Sequence, residues 1–169
     1  PRSTAFRTPN HDPTRTPQVK PTRRRAPDQS PVRLLDGARI GIQPERWPAG
    51  LAEVPTAAFR VVLVLSTSCN SCEKVAGQIG DLADPRDFAL LISTIDQARG
   101  KDFVTRHELS QLPHHIDVGG EWVTGELEVM TSPTALVFRD GRLVSALLFT
   151  DVAVLSAAVF PVKEAVRNE

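Results

Sequence analysis

The sequence predicts an α/β domain in which helices cover a mixed β-sheet. Three observations lead there. Arg60–Leu65 and Phe88–Thr94 are continuous apolar runs rich in branched residues, the pattern of strands buried on both faces. Each is followed by a segment with helical periodicity. Thr134–Arg139 and Arg142–Phe149 flank Asp140-Gly141, a hairpin signal that sets antiparallel strands beside the buried ones.

The 169 residues suffice for one domain with a real core and are too few for two of ordinary size. The net charge is zero, but it is unevenly spread. Residues 1–33 hold eight Lys/Arg against Asp12 and Asp28, a net +6 that leaves −6 for the remainder. The acidic body shows no basic face with interleaved aromatics, which argues against nucleic-acid binding. No run approaches the roughly 18–20 apolar residues that span a bilayer. The chain opens at Pro1 without an initiator Met, which leaves room for an N-terminal anchor ahead of it.

Seven prolines fall between Pro1 and Pro31, with Ala5, Phe6, Val19 and Ala26 as the only apolar side chains besides them. Such a segment buries too little to offset the cost of ordering it, so residues 1–31 read as a disordered, extended, basic tail. The Arg23–Arg25 triplet offers contacts to anionic lipid or to a partner, although a solvated tether is the simpler reading. The domain proper is then residues 32–169.

Leu34–Ile42 resembles a short hairpin turning at Asp36-Gly37, and 43–56, with Pro44, Pro48 and Pro55, is connecting structure. After the first buried strand a helix is expected from about Asn70 to Leu82, with Val75, Ile79, Leu82 and Ala83 on one stripe. The strand Phe88–Thr94 precedes an amphipathic helix expected over Asp102–Leu112. His115–Val118 is a short strand ending at Gly119-Gly120, followed by a helical turn around Trp122–Leu127. Asp151 can cap a last helix from Val152 to Arg167, divided at Pro161.

The chemistry lies where the first buried strand hands over to its helix, at Ser68-Cys69-Asn70-Ser71-Cys72. Unpaired N–H groups and the helix dipole at that terminus stabilise an anion, and a thiolate at Cys69 is one. Cys72 lies one turn on, on the same face, at a spacing that suits a disulfide. Two plainer readings compete. A structural bridge over four residues would constrain the unfolded chain by only about 2 kcal/mol. A metal site would need two more ligands, and His107, His114 and His115 lack paired metal spacing. Redox work is the reading favoured.

Together with Ser132-Pro133-Thr134 opening a strand and the Phe138–Arg142 hairpin, the strand–CxxC–helix unit resembles the thioredoxin superfamily. The segment 96–130 and the leading hairpin look most like its membrane-anchored disulfide reductases of cytochrome c maturation and methylamine utilisation. The resemblance spans about residues 32–169. It implies that Cys69 is the exposed attacking thiol and Cys72 the shielded resolving thiol. It implies that Pro133 is a cis-proline facing the disulfide and blocking metal capture. The backbone of Ser132 would pair with a substrate peptide as an added strand. The activity implied is dithiol–disulfide exchange with protein thiols or disulfides, reset by an upstream redox partner, with no metal or organic cofactor. The extracytoplasmic side of a membrane is implied, whereas a basic tail next to an anchor would favour the cytoplasmic side. The alternative is a binding or metal-handling module of the same fold without reductase activity.

Three departures stand out. Ser68 and Asn70-Ser71 replace the Trp and the Gly-Pro of thioredoxin itself. Leu63 stands where the superfamily often buries an Asp, and Ile92 where its companion Lys falls. Glu73 and Lys74 are expected to point outward, leaving proton transfer from Cys72 to water or another group. Trp47 and Trp122 read as packing anchors, and His114-His115 as a turn or partly exposed pair. The sequence has no phosphate-binding glycine motif and no serine-hydrolase elbow.

Overall fold

The structure is a computed structural model that describes residues 30–82 and 84–160. Six strands form one sheet: β1 (Val32–Leu34), β2 (Phe59–Ser66), β3 (Phe88–Thr94), β4 (His114–Val118), β5 (Thr134–Arg139) and β6 (Arg142–Phe149). Their order across the sheet is β1-β6-β5-β2-β3-β4. β2, β3 and β4 run parallel, while β5, β6 and β1 are added antiparallel. The helices are α1 (Asn70–Gly80), α2 (Gln97–Arg106), α3 (Glu121–Leu127) and α4 (Val152–Val159).

Strand alternation divides the core in two. Val61, Leu63 and Leu65 of β2 face one side, with Leu90 and Ile92 of β3, and meet Val75 and Ile79 of α1, Phe103 of α2 and Leu155 of α4. Val62 and Val64 face the other side, with Ala89 and Leu91, and meet Val123 and Leu127 of α3. Trp47 completes that second layer, its ring centroid 5.3 Å from that of Trp122 in a tilted contact and 5.1 Å from that of Phe138 edge-to-face, so both tryptophans pack as the sequence suggests. Both faces of β2 and β3 are covered, which is why they lack a polar alternation.

Two expectations need correction. Leu34–Ile42 is not a hairpin. Val32–Leu34 pairs with Leu147–Phe149 instead, and the stretch after it continues along β6 through Leu35 N–H to the Ala146 carbonyl (2.9 Å) and Gly41 N–H to that of Leu143 (2.7 Å). The segment finds its partner about 110 residues away in sequence rather than in itself.

The second helix starts and ends earlier than Asp102–Leu112. Asp96 caps it by accepting from Arg99 N–H at 2.8 Å, and the chain leaves helical geometry at Glu108, φ +56°. Leu109 and Leu112 are buried beyond it, so their apolar spacing mimics a longer helix. The last helix starts at its Asp151 cap as expected and spans Val152–Val159. Pro161 and the remainder of the expected helix lie outside the described residues, as do Ala83 and residues 1–29 of the expected tail.

Loops as well as helices are fixed tightly to the sheet. Asp117 is buried at the end of β4 and accepts from Trp122 N–H and Val123 N–H, both at 3.0 Å, fastening the start of α3. Gly50, in a 3₁₀ turn, lies against β4 so closely that a Cβ there would sit 1.8 Å from the His114 carbonyl oxygen. Gly50→Ala is therefore expected to cost about 1–3 kcal/mol of stability through forced backbone movement. A lowered urea midpoint at constant slope would register it, and an unchanged midpoint would refute the close approach.

Candidate active site

β2 carries its last residue, Ser66, to the carboxyl end of the parallel strands, where the chain turns into α1. Cys69 N–H donates to the Ser66 carbonyl at 3.3 Å, closing that turn. Thr67 N–H donates to the Ser93 carbonyl at 3.0 Å, and its hydroxyl bonds that of Thr94 at 3.0 Å. The loop is thus tied to the end of β3 before the helix begins.

Cys69 is the N-cap of α1. Its Sγ accepts from Cys72 N–H at 3.2 Å, satisfying one donor that the helix terminus leaves free. Sulfur takes the place that a Ser or Asp oxygen fills in an ordinary cap, which puts a developing thiolate where N–H groups converge. Cys69 is half-buried, whereas Cys72 is fully buried among Val75, Ala76 and the strand residues beneath them. Both are thiols in this structure. Burial pushes the Cys72 thiol up to about 12, the Cys69 side chain adds to that, and the Ser66 backbone and Ser132 side chain work against it.

The loop before β5 closes the site. The Cys69 thiol points at the Ser132 carbonyl at 3.7 Å, the Ser132–Pro133 peptide bond is cis, and Pro133 is buried while Ser132 is half-exposed. The structure therefore brings Cys69, Cys72 and Ser132-Pro133 together, four residues that come from two distant parts of the chain. Open clefts of about 460 and 330 Å3 lie on the two flanks of Ser132.

Comparison with proteins of known structure bears on the fold. A secreted disulfide oxidoreductase of Mycobacterium tuberculosis, described as homologous to E. coli DsbE, matches with a TM-score of 0.52 at 19% identity, over 66% of this chain and 86% of that one. The fold is thioredoxin-like. A DsbF homologue from Corynebacterium diphtheriae matches over 79% of this chain and 95% of its own at 13% identity, with a TM-score of 0.48. StoA from Bacillus subtilis matches over 54% and 73% at 18% identity, with a TM-score of 0.42. No family model and no curated protein matches the sequence.

Within this thioredoxin-like frame, Leu63 and Ile92 are fully buried in the apolar layer under α1, so neither the acid nor its companion lysine is present there. Glu73 does not point freely outward as expected. Its carboxylate takes two hydrogen bonds from Arg106, at 3.1 and 3.3 Å, and meets His107 Nε2 at 2.5 Å, which joins the first turn of α1 to the end of α2. Partial burial works against its charge, but Arg106 and His107 outweigh that and hold the carboxyl below its ordinary value. The sequence spacing hid this because residues 73 and 106 meet only once both helices lie on the sheet. The negative charge one residue beyond Cys72 is thereby matched, which limits its opposition to a thiolate nearby.

His114 and His115 stand apart from this site. His114 Nδ1 bonds the Leu112 carbonyl at 2.8 Å, and burial lowers the His115 imidazole. Among the described residues no group of three or more His, Cys, Asp or Glu could hold a metal ion. Sequence reasoning passed over Arg33 and Thr150, which the pairing of β1 with β6 brings to the cleft beside Pro133.

Proposed function

We propose that this chain is a thiol–disulfide oxidoreductase whose Cys69–Cys72 pair exchanges with disulfides or thiols of protein substrates. The observation that carries this reading is the unequal placement of the two sulfurs. One caps a helix terminus at the surface, and the other is sealed in the core one turn behind it.

The chemistry follows from that placement. The Cys69 thiolate attacks one sulfur of a substrate disulfide, forming a mixed disulfide as the substrate S–S bond breaks and its second sulfur leaves and takes a proton. Cys72 then gives up its proton and attacks Cys69 Sγ. The Cys69–Cys72 disulfide forms, the remaining substrate sulfur leaves as a thiol, and two electrons have passed to the substrate. The reverse sequence oxidises a substrate dithiol. In either direction a second redox protein must reset the pair. Ser132 and Pro133 are the proposed substrate-binding residues, with the substrate laid along the Ser132 backbone as an extended strand.

Residues 1–31 are proposed as a separate basic segment and residues 32–169 as the exchange domain. The secreted character of the M. tuberculosis protein supports an extracytoplasmic location. Among the described residues no helix is long and apolar enough to cross a membrane.

The test is direct. Oxidised protein treated with dithiothreitol should gain about two daltons, and catalytic amounts should speed the reduction of insulin disulfides. Cys69→Ser should abolish that acceleration. Absence of acceleration by the unaltered protein, with zinc or copper bound through the two thiols, would replace this reading with a metal-handling module.

A further inference from the structure

The exchange reaction itself calls for nothing beyond the cysteines and the Ser132-Pro133 loop, yet the larger cleft beside that loop has a built wall. Pro31 and Arg33 stand on one side of it, Leu148 and Thr150 at its base, and Ser132 and Pro133 opposite. Arg33 is the only charged side chain in the lining, and it is exposed. It forms no ion pair among the described residues.

Strand register fixes its position. Arg33 is opposite Leu148 of β6, and Leu148 is opposite Thr134 of β5, two residues beyond Ser132. Two strand spacings separate the backbone of Arg33 from that of β5 by about 10 Å, a gap that an arginine and a carboxylate-bearing side chain bridge between them. The cleft on the other flank of Ser132 is lined by uncharged residues, with the hydroxyl-bearing Ser66, Ser93 and Thr124 among them. Of the two clefts beside Ser132, only this one has a charged side chain in its lining.

Resting on the exchange function proposed above, we infer that Arg33 is a specificity-determining residue that selects protein substrates carrying an acidic side chain close to the reacting cysteine. A carboxylate entering that cleft gains a charge-assisted, bidentate partner that no residue of the lining already occupies. A lysine at the same place meets a like charge. Because the substrate lies along Ser132 as a strand, its side chains alternate in direction, so the preference belongs to one position rather than to the peptide's total charge.

The experiment measures kcat/KM of the full chain on disulfide-bonded peptides in which one residue, Glu, Ala or Lys, is moved stepwise along both sides of the cysteine. Glu at one position should be favoured over Ala by about fivefold, with Lys disfavoured there, and salt should shrink the difference. The preference should persist in Arg33→Lys, vanish in Arg33→Ala and reverse in Arg33→Glu. Turnover of hydroxyethyl disulfide, which is small and uncharged, should be the same in all four proteins. A gain spread evenly over every peptide position, or one that survives Arg33→Ala, would overturn the role of Arg33. Failure of the unaltered protein to exchange with any peptide or with hydroxyethyl disulfide would instead overturn the oxidoreductase reading beneath it.

Discussion

Replacing Cys72 with serine is expected to stop the reaction at the mixed disulfide and leave the substrate covalently attached through Cys69. The second step is an attack between sulfurs held one helical turn apart, and such intramolecular partners act with effective molarities that reach about 10⁵ M or more. No external thiol at millimolar concentration matches that, so turnover should fall by at least about two orders of magnitude while adduct accumulates. The buried place of Cys72 helps the trap, because a serine hydroxyl there neither resolves the adduct nor opens a path for solvent thiols. Cys69→Ser should yield no adduct at all. Mass spectrometry after brief exposure to a disulfide-bonded protein decides the matter. An adduct through position 72, or equal trapping by both variants, would reverse or remove the assigned roles.

The second large effect is selectivity between the two thiols. Burial holds the Cys72 thiol near 12, so at neutral pH only on the order of one part in 10⁵ of it is thiolate. Only the thiolate alkylates at a useful rate. In the reduced protein a limiting dose of iodoacetamide should label Cys69 more than about 100-fold faster than Cys72. Equal labelling would mean that neither sulfur is distinguished by its surroundings.

The same burial has a consequence for stability. The folded state holds the Cys72 proton more tightly than the unfolded chain, whose thiol titrates near 9.0. Its contribution is therefore fully present below about pH 9 and is lost as pH rises towards about 12. Oxidation removes the titrating group, so only the reduced protein should show this alkaline decline.

Much of this could be read from the chain before its fold was known, and the reasons are local. β2 and β3 declare themselves because burial on both faces leaves no polar alternation to disguise them. The β5–β6 hairpin does so because Asp140-Gly141 encodes its own turn, with both residues at positive φ. Cys69 and Cys72 stand on a strand-to-helix junction that the apolar pattern locates. What remained hidden depends on contacts between remote segments. Val32–Leu34 is too short to announce a strand and gains its identity only from β6. The second helix is displaced from its expected place because Leu109 and Leu112, buried beyond its end, continue the apolar spacing of Phe103 past the left-handed turn at Glu108. The Glu73–Arg106–His107 cluster has no local signature whatever, since it forms where two helices converge on the sheet.

One atom in this protein has two occupations. The sulfur of Cys72 is a reagent in the proposed exchange, and it is also building material, fully enclosed by the residues that seat α1 on the sheet. A change in how tightly α1 packs, made by a substitution at Val75 or Ile79 without touching either cysteine, alters the medium in which that sulfur must lose its proton. Hardness of the interior and ease of electron transfer are thus not independent traits of the proposed enzyme. A mutation selected for one is inherited as a change in the other.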